Sequence, residues 1–256
     1  MLRISDDRIY IFVMFLILIL LPLTSLSPVA AEEWVGQKFM EKQGAKYVLA
    51  GVEVPRDEIT SKLFTVSETN GDWLCIGKAW VKKKNVIPLD KAEAYYSAFL
   101  KQYPQSKWAY KNRGLFWGSQ NEYDRAIKDF DEAIQIDPKD GSAYHNRGVA
   151  WYLMGRYEEA ITDYNKGIQI APNDKGIYGA RGMAWFKVKE YDLAIKDFTK
   201  AIQIDPEFDF AYRKRGQAYY MIGSNIKAII DFTDAIQIDP FNEVSYFQRG
   251  LVLCDN

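Results

Sequence analysis

Histidine is almost missing from this chain: among 256 residues only His145 carries an imidazole, and there are only two cysteines, Cys75 and Cys254. One imidazole and two distant thiols make no cluster of metal donors, so a zinc-type site is excluded. Nucleophilic catalysis needs a base beside its nucleophile. No Ser or Cys is placed to use His145, which reads as an ordinary surface or groove side chain. Each cysteine reads as a small buried apolar residue rather than half of a disulfide. An excess of either charge is missing too, with 33 basic residues against 34 acidic. Such a balance exerts no pull on nucleic acid or acidic lipid. The one basic bunch, Lys82-Lys83-Lys84, reads as a solvated loop. There is no glycine-rich phosphate loop, because the glycines lie singly, at packing intervals. Paired carboxylates such as Glu158-Glu159 fall on solvated turn and helix positions. These absences leave no catalytic residue, no metal site and no cofactor, so the chain is expected not to be an enzyme.

A long apolar run occurs once, from Ile9 to Leu21, behind Arg3 and Arg8 and ahead of Pro22. Val29 and Ala31 then satisfy the small-residue rule for cleavage before Glu32. The run is shorter than the roughly 20 residues of a spanning helix, although the mild stretch Leu23 to Ala31 lengthens it. Residues 1–31 are therefore expected to be a signal peptide or, alternatively, a retained membrane anchor. Either way the rest is expected to be exported, periplasmic or secreted, touching a membrane only through that segment. No Cys follows the run, which excludes a bacterial lipoprotein anchor.

What the chain has in plenty is repetition. Pro104, Pro138, Pro172, Pro206 and Pro240 each stand 34 residues from the next, and "AIQIDP" is spelled three times. Four units follow from this spacing: 104–137, 138–171, 172–205 and 206–239. Each opens with a tyrosine (Tyr110, Tyr144, Tyr178, Tyr212), then an Arg-Gly pair, then Trp117, Trp151, Trp185 or Tyr219. Each second half carries an alanine (Ala126, Ala160, Ala194, Ala228), an aromatic (Phe130, Tyr164, Phe198, Phe232) and a second small residue. Tyr144, Gly148 and Trp151 fall at i, i+4 and i+7, as do Ala160, Tyr164 and Gly167, so both halves read as helices. Rings and small residues on facing stripes permit close antiparallel packing. The proline ends each unit because it cannot continue a helix.

These residues resemble the tetratricopeptide repeat, a helix-turn-helix unit of the same length. Departures are few: Gly167 stands for an alanine, Asn225 for the turn aromatic seen as Tyr123, Tyr157 and Tyr191, and arginine for the leucine usual before the glycine. That last variant is similar to bacterial members. Before Pro104, Ala92 and Tyr96 repeat the second-half pattern in a lone helix expected to be capped by Asp90. After Pro240, Tyr246, Arg249 and Gly250 repeat the first half, with Leu251-Val252-Leu253 expected to be left exposed. The solenoid is thus expected over residues 90–256, with half-units covering both ends. Arg113, Arg147, Arg181 and Arg215 recur in phase with Asp129, Asp163, Asp197 and Asp231. Ion pairs between helices that fix the stacking are expected of them, rather than anion binding.

Residues 32–89 follow another grammar, short alternating runs broken by turn signals such as Asn70-Gly71. "VSETNGDWLCIGKAWVKKKNVIPL" resembles the C-terminal half of a bacterial SH3-like barrel, with Gly71-Asp72-Trp73, Trp80-Val81 and Val86-Ile87 as its marks. The resemblance implies an all-β SH3-like barrel ahead of the α-solenoid, Trp73 as a candidate groove residue and Trp80 as core.

The tetratricopeptide resemblance also implies a concave face lined by first helices. Its candidate residues are Trp108, Lys111 and Leu115, then His145, Val149 and Tyr152, then Met183 and Phe186. Phe210, Arg213, Gln217 and Tyr220 complete the row. Mostly apolar and aromatic, the row suits a helix or extended peptide with aliphatic anchors; the competing reading has many of these side chains packing between neighbouring helices. The Lys and Asn set that some family members use to clamp a C-terminal carboxylate is not reproduced. The expected function is an exported scaffold binding a protein or peptide. The alternative is a cell-envelope factor whose barrel grips a cell-wall component.

Overall fold

The computed structural model describes residues 38–41, 47–49, 52–54, 63–65, 67–70, 73–76, 79–83 and 86–255. The expected signal peptide or anchor lies outside them. Among the described residues no helix is long and apolar enough to cross a membrane. The chain divides into two units, meeting between Val86 and Ile87.

The first unit is made of short strands: β1 (Lys38–Glu41), β2 (Tyr47–Leu49), β3 (Val52–Val54), β4 (Leu63–Thr65), β5 (Glu68–Asn70), β6 (Trp73–Ile76), β7 (Ala79–Lys82) and β8 (Val86–Pro88). One sheet has the order β4-β1-β8 and the other β3-β2-β7-β6-β5. β5 and β6 pair antiparallel up to Asn70 and Trp73, so Asn70 is the last paired residue of its strand and not the central turn residue that an Asn-Gly turn would make it. Leu74 and Val81 are opposite one another across β6 and β7, and both are buried. Short antiparallel β-structure is what these strands establish. Among the described residues the two sheets share no strand, and closure into the expected barrel is not seen. The Trp73 and Trp80 side chains lie outside the described set.

The second unit is helical. α1 (Leu89–Gln102) stands alone and is followed by α2 (Lys107–Ser119) with α3 (Tyr123–Ile136), then α4 (Gly141–Leu153) with α5 (Tyr157–Ile170). α6 (Lys175–Lys187) pairs with α7 (Tyr191–Ile204) and α8 (Asp209–Met221) with α9 (Asn225–Ile238), and α10 (Glu243–Cys254) closes the row. Ser106, Asp140 and Asp174 cap α2, α4 and α6 by accepting backbone N–H bonds. Every second helix ends two residues before its proline, with the residue between them as its C-cap. Between paired helices the chain reverses through one left-handed residue at the same place each time: Asn121, Gly155, Lys189 and Gly223, with φ of 62°, 78°, 65° and 74°. The expected Asp90 cap is not formed. The helix is entered directly through Pro88 with no side-chain cap, and Asp90 lies inside the first turn, where its charge favours the positive helix end.

Packing within each pair is a ring against a glycine. A methyl group at Gly114 would lie 2.7 Å from the Phe130 ring, at Gly148 2.6 Å from Tyr164, at Gly182 2.7 Å from Phe198 and at Gly216 2.9 Å from Phe232. No larger residue fits without displacing the ring. The departure at Gly167 is explained in the same way. A methyl there would meet the Ile177 side chain at 3.1 Å, and Ile177 stands where the other units have Ala109, Ala143 and Ala211. One junction has exchanged two medium residues for a small and a large one.

Charge fixes the register. Nε and Nη2 of Arg113 donate to both carboxylate oxygens of Asp129, at 2.9 and 2.7 Å. Arg147 to Asp163, Arg181 to Asp197 and Arg215 to Asp231 repeat that fork at 2.6–2.8 Å. The third nitrogen, Nη1, turns back to the preceding second helix and reaches Ser97, Asp131, Asn165 or Thr199. Each arginine thus ties its own pair of helices and the previous pair together. Burial lifts the carboxyls of Asp129, Asp197 and Asp231 above their usual range even against the guanidinium pull. Desolvation that outweighs the guanidinium pull makes the ladder a device for alignment more than a source of net stability.

Candidate partner-binding face

The twelve residues picked out in sequence all lie on the first helices α2, α4, α6 and α8. They recur at the fourth, seventh, eleventh and fourteenth places after each proline, a single stripe along each helix. Each of these helices also touches the next first helix in line, so the stripes run side by side. None of the twelve is buried, and Tyr220 is the most open at 36%.

The structure divides them by what they touch. Trp108 sets its edge against Tyr96 and Phe99, His145 against Tyr164, Tyr152 against Tyr157 and Phe186 against Tyr191, with centroids 5.2–5.9 Å apart. Leu115, Val149 and Met183 pack on the buried clusters of their own units, and Phe210 on that of the unit before it. Each of these side chains is half core and half surface, so packing and exposure are both true of it. Among the charged members, Lys111 donates to Asp140 at 2.6 Å and to Ser142 at 2.8 Å. Arg213 donates to Asp209 at 3.1 Å and lies over the Phe210 ring. Gln217 accepts from Lys214, and Tyr220 donates its hydroxyl to Asp255.

Sequence reasoning missed the eighth place after the proline, next to Lys111 and His145. Asn112 and Asn146 stand there, and Asn112 Oδ1 and Asn146 Nδ2 are buried without a hydrogen-bond partner. Lys214 occupies the same place in α8, where burial and its neighbours Arg213 and Lys187 push its ammonium below the usual lysine range. The signal was a column of polar residues on an otherwise apolar helix side, broken by Ala180. Among the described residues no group of three His, Cys, Asp or Glu could hold a metal.

Asp140 carries the strongest electrostatic signature of the face. Burial works against its charge, but Lys111, Ser142 and Lys107 outweigh it and hold the carboxyl at about 2. A lowered acid stabilises the fold above the unfolded value near 3.9, and that contribution is lost as pH falls through about 2; it amounts to roughly 2 kcal/mol. Asp140→Asn keeps a capping oxygen and loses the charge. It is expected to lower stability at pH 7 by about 1–2 kcal/mol and to flatten the loss between pH 4 and 2. Denaturant melts across that range check it. An unchanged pH profile would remove the Lys111–Asp140 pair from the account.

Residues 108–140, 141–174 and 177–208 match the tetratricopeptide repeat family. Solved structures share the fold. The crystal structure of MamA is 24% identical with a TM-score of 0.56, over 59% of this chain and 89% of that one. MamA from Desulfovibrio magneticus RS-1 is 19% identical with a TM-score of 0.56, over 60% and 88%. The crystal structure of YrrB, a TPR protein with an unusual peptide-binding site, is 20% identical with a TM-score of 0.54, over 64% and 84%. No curated protein sequence matches the chain.

Proposed function

We propose, from tetratricopeptide repeats over residues 108–208 as the premise, that the protein is a non-enzymatic scaffold holding a partner polypeptide on its first-helix face. One observation carries the reading: Asn112 Oδ1 and Asn146 Nδ2 are buried and unpaired beside a row of half-exposed rings. A buried polar atom without a partner costs about 1–3 kcal/mol. A guest chain laid along the row would set its apolar side chains against the rings, and an outward turn of the two amides would let the Asn112 carbonyl accept from its N–H and the Asn146 amide donate to its C=O. Peptide binding by YrrB, a solenoid of the same fold, supports this use of the scaffold. Lys111 and Arg213 are already engaged with carboxylates, so the guest is chosen by its apolar anchors rather than by acidity.

The same proposal places the protein outside the cytoplasm, on the strength of the apolar segment in residues 1–31. The SH3-like reading of residues 32–89 belongs to it as well, and rests on the Gly71-Asp72-Trp73 sequence motif beside the antiparallel pairing of β5 with β6. A wall-binding role for that segment is the rival use of the molecule. Photo-crosslinkers at Phe186 and Tyr220, in the native compartment, test the scaffold. Polypeptide adducts are expected from both positions, weakened about tenfold by Asn146→Leu in a protein that still melts normally. Capture of no polypeptide from either position, with wall material retained by residues 32–89 alone, would replace the scaffold by the wall-binding factor.

A further inference from the structure

The second helices show polar residues at the twentieth and twenty-fourth places after the proline, with one exception. Asp124 and Lys128 stand there on α3, Glu158 and Thr162 on α5, Asp192 and Lys196 on α7. All six are exposed, although in each case the following unit is packed in place. The repeat itself therefore turns these places outward, and further helices beyond α10 would not cover them. On α9 the same places hold Ile226 and Ile230, which are 75% and 53% exposed. One helical turn apart, the two isoleucines form an apolar strip where the other units are polar.

The charges around the strip are inverted as well. α3, α5 and α7 each carry an acid in the first turn, where it suits the positive helix end. α9 carries none there and has Lys227 instead, 5.3 Å over the Tyr219 ring. Its acid, Asp234, stands one turn beyond Ile230, toward the negative end of its own helix. Among the described residues no cation is paired with Asp234.

We propose that the Ile226–Ile230 strip is the interface of a reversible two-fold dimer, covered by α9 of a second copy running antiparallel. Ile226 of each copy then meets Ile230 of the other. Asp234 comes beside the first turn of the other α9, where Lys227 and the helix end supply positive charge. Charge complementarity chooses this occupant. An acid that works against its own helix and a helix end without an acid are answered together by a copy turned end for end. A guest with apolar anchors alone would cover the isoleucines and leave both charges as they are. The first helices stay untouched, so each dimer shows two of the proposed partner-binding faces.

The test is sedimentation of the full chain over a concentration series, beside Ile226→Asp and Ile230→Lys, which restore the residues α7 has. The parent is expected to pass from monomer to dimer. Each variant is expected to raise the dissociation constant at least about tenfold, because symmetry counts every change twice. Where the parent is monomeric, Ile226→Asp is expected to melt no lower, since the side chain is exposed and an acid suits that turn. Chains with Ile226→Cys and with Ile230→Cys, both in a Cys254→Ser background, report the register. Their mixture is expected to give more disulfide dimer than either alone. A chain that stays monomeric at millimolar concentration, or a dimer indifferent to Ile226→Asp, overturns the proposal. Equal disulfide yields from all combinations overturn it too. So does a lower melting point of monomeric Ile226→Asp, because a segment of the same chain would then cover the strip.

Discussion

Phe198→Ala is expected to lower the unfolding free energy by about 3–5 kcal/mol, read from denaturant midpoints at unchanged slope. The ring is fully buried in α7 and belongs to a cluster with Ala194, Ala201 and Ala211. It also fills the notch at Gly182, where no side chain of α6 can take its place. Truncation therefore leaves a cavity with a bare glycine as one wall, and a helix pair held at its present distance cannot close it by rotamer changes. Because each unit contacts only its neighbours, damage in the third unit also separates the halves of the array. A loss below about 1 kcal/mol would show that the ring is not the wedge between these helices.

Arg181→Ala is expected to cost about as much, roughly 3–5 kcal/mol, for an unrelated reason. The Asp197 side chain is 8% exposed and accepts both of its short bonds from Arg181. Without the guanidinium a carboxylate is left buried and unpaired, and the Asn165 oxygen in the preceding unit loses its donor. Burial already raises the Asp197 carboxyl, so in the variant the penalty is absent below the unfolded value near 3.9 and grows as pH rises through it. The deficit is expected to shrink on acidification. Arg181→Met combined with Asp197→Leu removes both charges, and its stability is expected to return to within about 1 kcal/mol of the parent. A double variant as unstable as the single would mean that the lost contact, not the stranded charge, sets the cost.

Why some features were legible and others not follows from distance along the chain and from chemistry. The helix pairs could be read because prolines, glycines and rings recur with a fixed period. The Arg–Asp ladder could be read because both signs keep the same phase. The backward reach of Nη1 could not, since Ser97, Asp131, Asn165 and Thr199 share a place but not a residue type. Lys111 was legible as part of a stripe, yet its tie to Asp140 crosses into the next unit and leaves no local pattern. Asn112 and Asn146 were hidden because Ala180 interrupts their column. Asp90 misled because an acidic residue before an apolar helix reads as a cap, whereas here the strand β8 runs straight into α1 through Pro88. Cys254 was expected to be buried and is exposed, because among the described residues no second helix covers α10. Leu251 and Leu253 are exposed for that reason, while Val252 turns inward and is buried.

The backward reach of the arginines has a consequence for how such a chain can grow. At successive seams Nη1 is met by a hydroxyl, a carboxylate, an amide and two more hydroxyls. The seam demands only an oxygen, not a particular neighbour. A 34-residue cassette cut from proline to proline can therefore be duplicated, dropped or reordered while every arginine seam still closes, provided the matched pair Gly167 and Ile177 stays together. Lengthening the molecule is then a matter of copying, and each new copy is free to change what it shows the outside world.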